Sequence, residues 1–274
     1  MLYLKDTFNY IFRNFFKLVL FTIVPSVVLA ITGNTDGAFA FFFNFEENAL
    51  EFGSVYKHFS LIASNNFWLG LLGVVLSCVF LSILYSVIER HMKVGRFSFS
   101  RLWASLNETL LSVFPYYIVV VAGCELFAFL ISVFITVFYA AFGSAAIIPS
   151  IILVLGAYFA LFIILAQFVL YIPSQIMVGY PFVDSCINST KMILGKSVAV
   201  ALDLYVLCIP AILVAGAISV FLPEAVLLKT IFDVLVCNVG LMVLCVYPMV
   251  AYFKISGETR RDLEREDKKK NYIT

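Results

Sequence analysis

A chain of 274 residues that is 63% hydrophobic and only 13% charged excludes an ordinary soluble domain, which would expose large apolar patches and aggregate. A mean hydropathy of +1.04 has to be distributed over membrane-crossing segments of about 20 residues each. The net charge is +1 and the basic residues are sorted by loop rather than pooled on one surface, so nothing points to nucleic acid.

Residues 1–17 place Phe8, Ile11, Phe12 and Phe15 on one helical face and Asp6, Asn9, Arg13 and Lys17 on the other. That is the pattern of a helix lying in the membrane interface. A first span is expected over 18–32, interrupted by Pro25. Residues 33–67 form the longest loop, acidic through Asp36, Glu46, Glu47 and Glu51. Its aromatic run, 38–45, is too short to cross and is expected to be interfacial, re-entrant or packed over the outer ends of the spans. Span two covers 68–88 and starts on Trp68, an interface anchor.

The basic loop with Arg90, Lys93, Arg96 and Arg101 follows. Ser100 is a candidate cap for a second amphipathic helix with Phe99, Leu102, Trp103, Leu106 and Leu110 on one face. Span three, 110–138, carries Pro115 near its inner end and Glu125 at its centre. An uncharged turn, 139–146, leads to span four, 147–172. Asp184 is a candidate cap for a third interfacial helix, 184–194. Span five, 197–221, is broken by Pro210; a turn with Pro223, Glu224 and Lys229 precedes span six, 230–253. The chain thus reads as an all-α, six-span membrane domain, 1–256, with three cytoplasmic interfacial helices and a charged tail, 257–274.

Sixteen of the Lys and Arg residues fall on the side of the two termini and two on the other, and no span contains one. The positive-inside rule therefore predicts both termini in the cytoplasm. The order of interfacial helix, span, outer turn and span occurs three times. Pro25, Pro115 and Pro210 lead to Gly33, Gly123 and Gly216, which admits a threefold helical-hairpin repeat.

Glu125 is the most informative residue. A charge at mid-bilayer costs roughly 2.5 kcal/mol or more, and no cationic side chain in a span offsets it. The carboxyl is therefore expected to be protonated, or to face a wet cavity or a cation. Depth counting puts Ser77, Cys78, Tyr158, Cys208 and Asn238 at its level, with Asn238 and Tyr158 as plausible partners. Asp203 and Gln167 lie nearer the cytoplasmic side and Asp233 nearer the outer side, so Asp233, Glu125 and Asp203 mark three depths. Two readings stay open: a proton- or cation-responsive path, or a neutral acid acting as interhelical glue.

The six cysteines form no CxxC pair and the only histidines are His58 and His91, which leaves no metal site and implies no cofactor. No catalytic constellation is present. The sequons at Asn107 and Asn188 fall on the cytoplasmic side, where they are silent.

The segments KDTFNYIFRNFFKLVLFTIVP, SVIERHMKVGRFSFSRLWASLNETLL and YPFVDSCINSTKMILGKS resemble bacterial polytopic membrane proteins of the YesL-like group, and the membrane domain fused to some glycerophosphodiester phosphodiesterases. The soluble phosphodiesterase domain has no counterpart here, so the resemblance carries over no catalytic residue. It implies a bacterial plasma-membrane protein that assists a transporter or an envelope process. The first expectation is a non-enzymatic accessory or scaffold subunit with the lipid bilayer and a membrane protein as partners. A small transporter or channel centred on Glu125, and a lipid-interacting protein, are the alternatives.

Overall fold

The computed structural model describes residues 3–32, 37–62, 67–97, 102–221 and 226–263. Among them there is no strand. The expected Ser100 cap, Gly33, the turn at Pro223 and Glu224 and most of the charged tail lie outside these residues.

Five stretches are long and apolar enough to cross a membrane: Leu4–Thr32, Phe67–Val94, Thr109–Val178, Ser197–Ile218 and Val226–Ser256. The first two are α1 (Leu4–Thr32) and α5 (Phe67–Val94). The third is 70 residues long and is not one rod. It holds most of α6 (Leu102–Phe142), a 3-10 turn at Gly143–Ala146, α7 (Ile147–Gln167) and α8 (Tyr171–Val178). Tyr116 of α6 stacks on Tyr171 of α8 with ring centroids 5.0 Å apart, so α7 and α8 double back along α6. A short α9 (Phe182–Ile193) follows, then α10 (Ser197–Phe221) and α11 (Val226–Ser256). Between α1 and α5 lie three short helices, α2 (Gly37–Phe43), α3 (Phe45–Asn48) and α4 (Phe52–Phe59).

The centre of the bundle is the second half of α11, buried without a break from Cys245 to Phe253. A helix buried all round must be apolar all round, as this stretch is. Helix α1 lies along it, burying Leu4, Thr7, Ile11, Asn14, Leu18, Phe21 and Pro25, a spacing of alternating three and four that keeps one stripe on the partner. Polar groups pin the register. Asn238 donates to Thr22 Oγ1 at 3.0 Å, and the Tyr85 hydroxyl of α5 donates to the Leu244 carbonyl at 2.7 Å. Lys254 closes the end of the bundle by pairing with Asp6.

Several sequence expectations change here. The first interfacial helix and the first span are one helix, and its buried stripe includes Tyr10, Ile11 and Asn14 while Phe12 and Phe16 stay exposed. Its kink sits at Asn14, not at Pro25. The Asn14 amide donates to the Tyr10 carbonyl at 3.0 Å, competing with the helical ladder. Pro115 and Pro210 lie inside unbroken helices, because packed neighbours hold the freed backbone in place. The second amphipathic helix is likewise the start of α6. Helix α9 is separate, but Pro181 rather than Asp184 occupies its N-cap position. Its serines, Ser185 and Ser189, turn inward and leave Val183 and Ile187 exposed.

At the end of the bundle away from the chain termini, the segment 37–59 forms a second core. Phe41, Phe45, Val55 and Phe59 pack against Ala128, Ile131 and Ile135 of α6 and Val154 of α7. Helix α2 reaches this position by crossing α10 at Gly216, where any Cβ would run into Phe39. Gly216→Val is therefore expected to lower stability by about 1–3 kcal/mol through overpacking. Thermal unfolding in mild detergent reads this directly; an unchanged midpoint would show that α2 is not docked there.

Candidate functional site

Glu125 sits in the middle of α6, with α4 alongside. The chain leaves α4 through Ser60, whose extended backbone (φ −73°, ψ 140°) ends the helix. Extended geometry at that point turns the next two N–H groups away from the helical ladder and towards α6. Both are taken by Glu125 Oε1, from Leu61 at 2.8 Å and Ile62 at 3.0 Å. Glu125 Oε2 accepts the Tyr56 hydroxyl at 2.6 Å and the Ser60 hydroxyl at 2.8 Å. Seven consecutive residues thus supply four donors to one side chain. Both oxygens act only as acceptors, the arrangement that suits a carboxylate.

Two details show how closely this clamp is fitted. Ile62 N–H also approaches Ser60 Oγ at 3.2 Å, so the turn is held to itself as well as to Glu125. Gly70, in the first turn of α5, lies so near the Ile62 carbonyl that an added Cβ would stand 2.5 Å from it. Burial first, and then the hydrogen bond and charge of Glu125, push the Tyr56 hydroxyl above its ordinary pKa and keep it a donor.

The expected partners of Glu125 are elsewhere. Asn238 is committed to Thr22. Tyr158 packs at the edge of the aromatic core at the far end of the bundle. Asp203, 1% exposed, accepts the Tyr247 hydroxyl at 3.2 Å and the Tyr3 N–H at 3.5 Å near the terminal end. Asp233 is buried on the other half of α11. Gln167 contributes its backbone carbonyl, which accepts the Ser189 hydroxyl at 2.7 Å where α7 gives way to α8, and Ser189 Oγ in turn accepts the Leu170 N–H at 3.1 Å. The three carboxylates thus have different sets of neighbours, and Glu125 is met by a loop. Sequence reasoning missed Tyr56 and Ser60. The available signal was the aromatic loop itself, already expected to fold back on the spans, but the two backbone donors have no side-chain signature.

The other large feature is a cavity of about 550 Å³ lined by α5, α6, α7, α8, α10 and α11. Its walls include Tyr85, Val113, Phe162, Leu207, Val239 and Tyr247. It is apolar nearly throughout, because the Tyr85 and Tyr247 hydroxyls are already spent on the Leu244 carbonyl and Asp203.

Among the described residues no group of His, Cys, Asp and Glu could hold a metal ion, and all six cysteines are free thiols. Fold and site together define an all-helical protein with several membrane-length apolar helices, a carboxylate clamp and an internal apolar cavity. No protein-family model, curated protein or solved structure matches the chain.

The clamp generates a double-mutant test. Glu125→Gln places an amide NH2 against a set of donors, and Tyr56→Phe removes one donor; each is expected to cost about 1–2 kcal/mol. Because they share one bond, the double variant should lose clearly less than the sum. Additive losses would mean that Tyr56 and Glu125 do not interact.

Proposed function

We propose that this is a non-enzymatic, six-span membrane protein that serves as an accessory or scaffold subunit of a transport or envelope complex. The third apolar stretch counts as two spans because it doubles back on itself. Both termini lie on the cytoplasmic side of the plasma membrane under the positive-inside distribution of Lys and Arg. The single observation behind the choice is the clamp. Glu125 is the carboxyl around which a proton- or cation-responsive path would be built, and the protein's own groups satisfy it on both oxygens. A group bonded in this way serves the packing of α4 on α6 and has little acceptor capacity left for a passing ion.

Surfaces suited to a partner lie at the terminal end. Phe12 and Phe16 of α1 are 74% and 89% exposed, and Val183, Ile187 and Leu194 of the α9 region are also exposed. Aromatic residues in that position suit both a membrane interface and a protein contact. The resemblance to YesL-like proteins supports the same reading and a bacterial source.

Affinity purification in mild detergent is expected to yield a stoichiometric membrane-protein partner, and Phe12→Ser/Phe16→Ser should release it without changing the chain's own unfolding midpoint. A lone chain in both preparations would count against the scaffold reading. On a background lacking the six native cysteines, an impermeant maleimide added to intact cells should label a cysteine placed at Lys57 and not one placed at Lys268. The reverse pattern would invert the topology.

A further inference from the structure

The cavity between α10 and α11 has no place in the scaffold reading. Its shape is set by how far the lining runs along each helix. On α11 it extends from Leu235 to Pro248, which at 1.5 Å per residue is about 20 Å along the bundle. The lining thus runs lengthwise along α11.

The cavity reaches the outside of the bundle sideways. Leu235, Val239, Gly240 and Leu244 of α11 are exposed and also line it. Opposite them, Leu207 and Ala211 of α10 are partly exposed. The mouth therefore opens within the length of two membrane-crossing helices, where the surroundings are hydrocarbon. The walls are almost wholly apolar, so a polar solute entering would exchange water for hydrocarbon side chains. Lining atoms without a neighbour lose their dispersion contacts, and the species at hand to restore them is a lipid chain.

We propose that this cavity is a binding site for one long acyl chain of a bilayer glycerophospholipid, entering sideways between α10 and α11. The proposal rests on the membrane-spanning reading above, and is independent of whether a protein partner exists. It deepens the lipid-interacting alternative by giving it a site. The lengthwise run of the lining along α11 suits a chain laid along the bundle, and the apolar walls leave the headgroup outside.

Gly240 offers a clean perturbation. It lines the mouth, a Cβ built on it meets nothing within 4 Å, and replacing helical glycine favours the helix. Gly240→Leu therefore fills the cavity without a backbone clash. Gly156 of α7 is equally open, exposed and outside the lining, so Gly156→Leu is the matched control. The full-length protein in membrane vesicles containing a phosphatidylcholine with a diazirine at mid-chain would be irradiated, digested and mapped by mass spectrometry. Adducts are expected on α10 and α11 lining residues above the level on the exposed α6 residues Leu111 and Val119. Gly240→Leu should abolish that excess, and Gly156→Leu should leave it intact.

An excess unchanged by Gly240→Leu would overturn the site, as would labelling no higher than on the outer face of α6. Cross-linking of Cys208 to a co-purifying protein, in place of lipid adducts, would also overturn it in favour of a partner helix. A chain recovered outside the membrane fraction would instead sink the membrane-spanning reading on which the site depends.

Discussion

The bond set around Glu125 is the constraint on which the half of the bundle built around residues 37–62 depends. A carboxyl in the middle of a membrane-length helix is tolerated only where donors replace water around it. Here they come from the end of α4, where the chain leaves helical geometry at Ser60 and frees two N–H groups that would otherwise have needed solvent. Each party therefore resolves the other's problem: the N–H groups just past the helix are satisfied by the carboxylate, and the carboxylate by them. Once that contact is made, α4 is held against α6, and the aromatic residues 41–59 have a fixed surface on which to build the second core.

The half built around the end of α11 is organised differently. There the second half of α11 is enclosed by α1, α5 and α8, and polar contacts are few and used for register: Asn238 to Thr22, Tyr85 to the Leu244 carbonyl, Tyr247 to Asp203. Apolar helices slide on one another at little cost in a hydrocarbon solvent, so a small number of directional bonds decides their alignment. The cavity lies where this scheme is incomplete, along the flank of α11 that faces α10. The clamp engages Glu125 on both oxygens, and the cavity leaves an apolar space along the flank of α11.

Much of the architecture was legible in the chain. The long apolar stretches and a break before 147 follow from composition and spacing, because transfer of side chains into hydrocarbon is local and nearly additive; the break is confined to Gly143–Ala146, since α6 runs on to Phe142. Glu125 could be singled out for the same reason. Its partners could not, and Asn238 and Tyr158, chosen for equal depth, are engaged elsewhere. Depth along a span says how far a residue lies from the surface and nothing about which way it faces around the helix.

The sequence by itself therefore determined that this protein is all-helical, apolar at membrane scale and burdened with one central carboxyl. Tertiary structure alone decided that Asn14 and not Pro25 kinks the first helix, that a loop closes over Glu125, and that α10 and α11 stand apart around a cavity. The difference is physical: partition into lipid depends on each residue's own chemistry, whereas hydrogen-bond partners and voids depend on where backbone groups of distant segments meet, and those groups are the same in every residue.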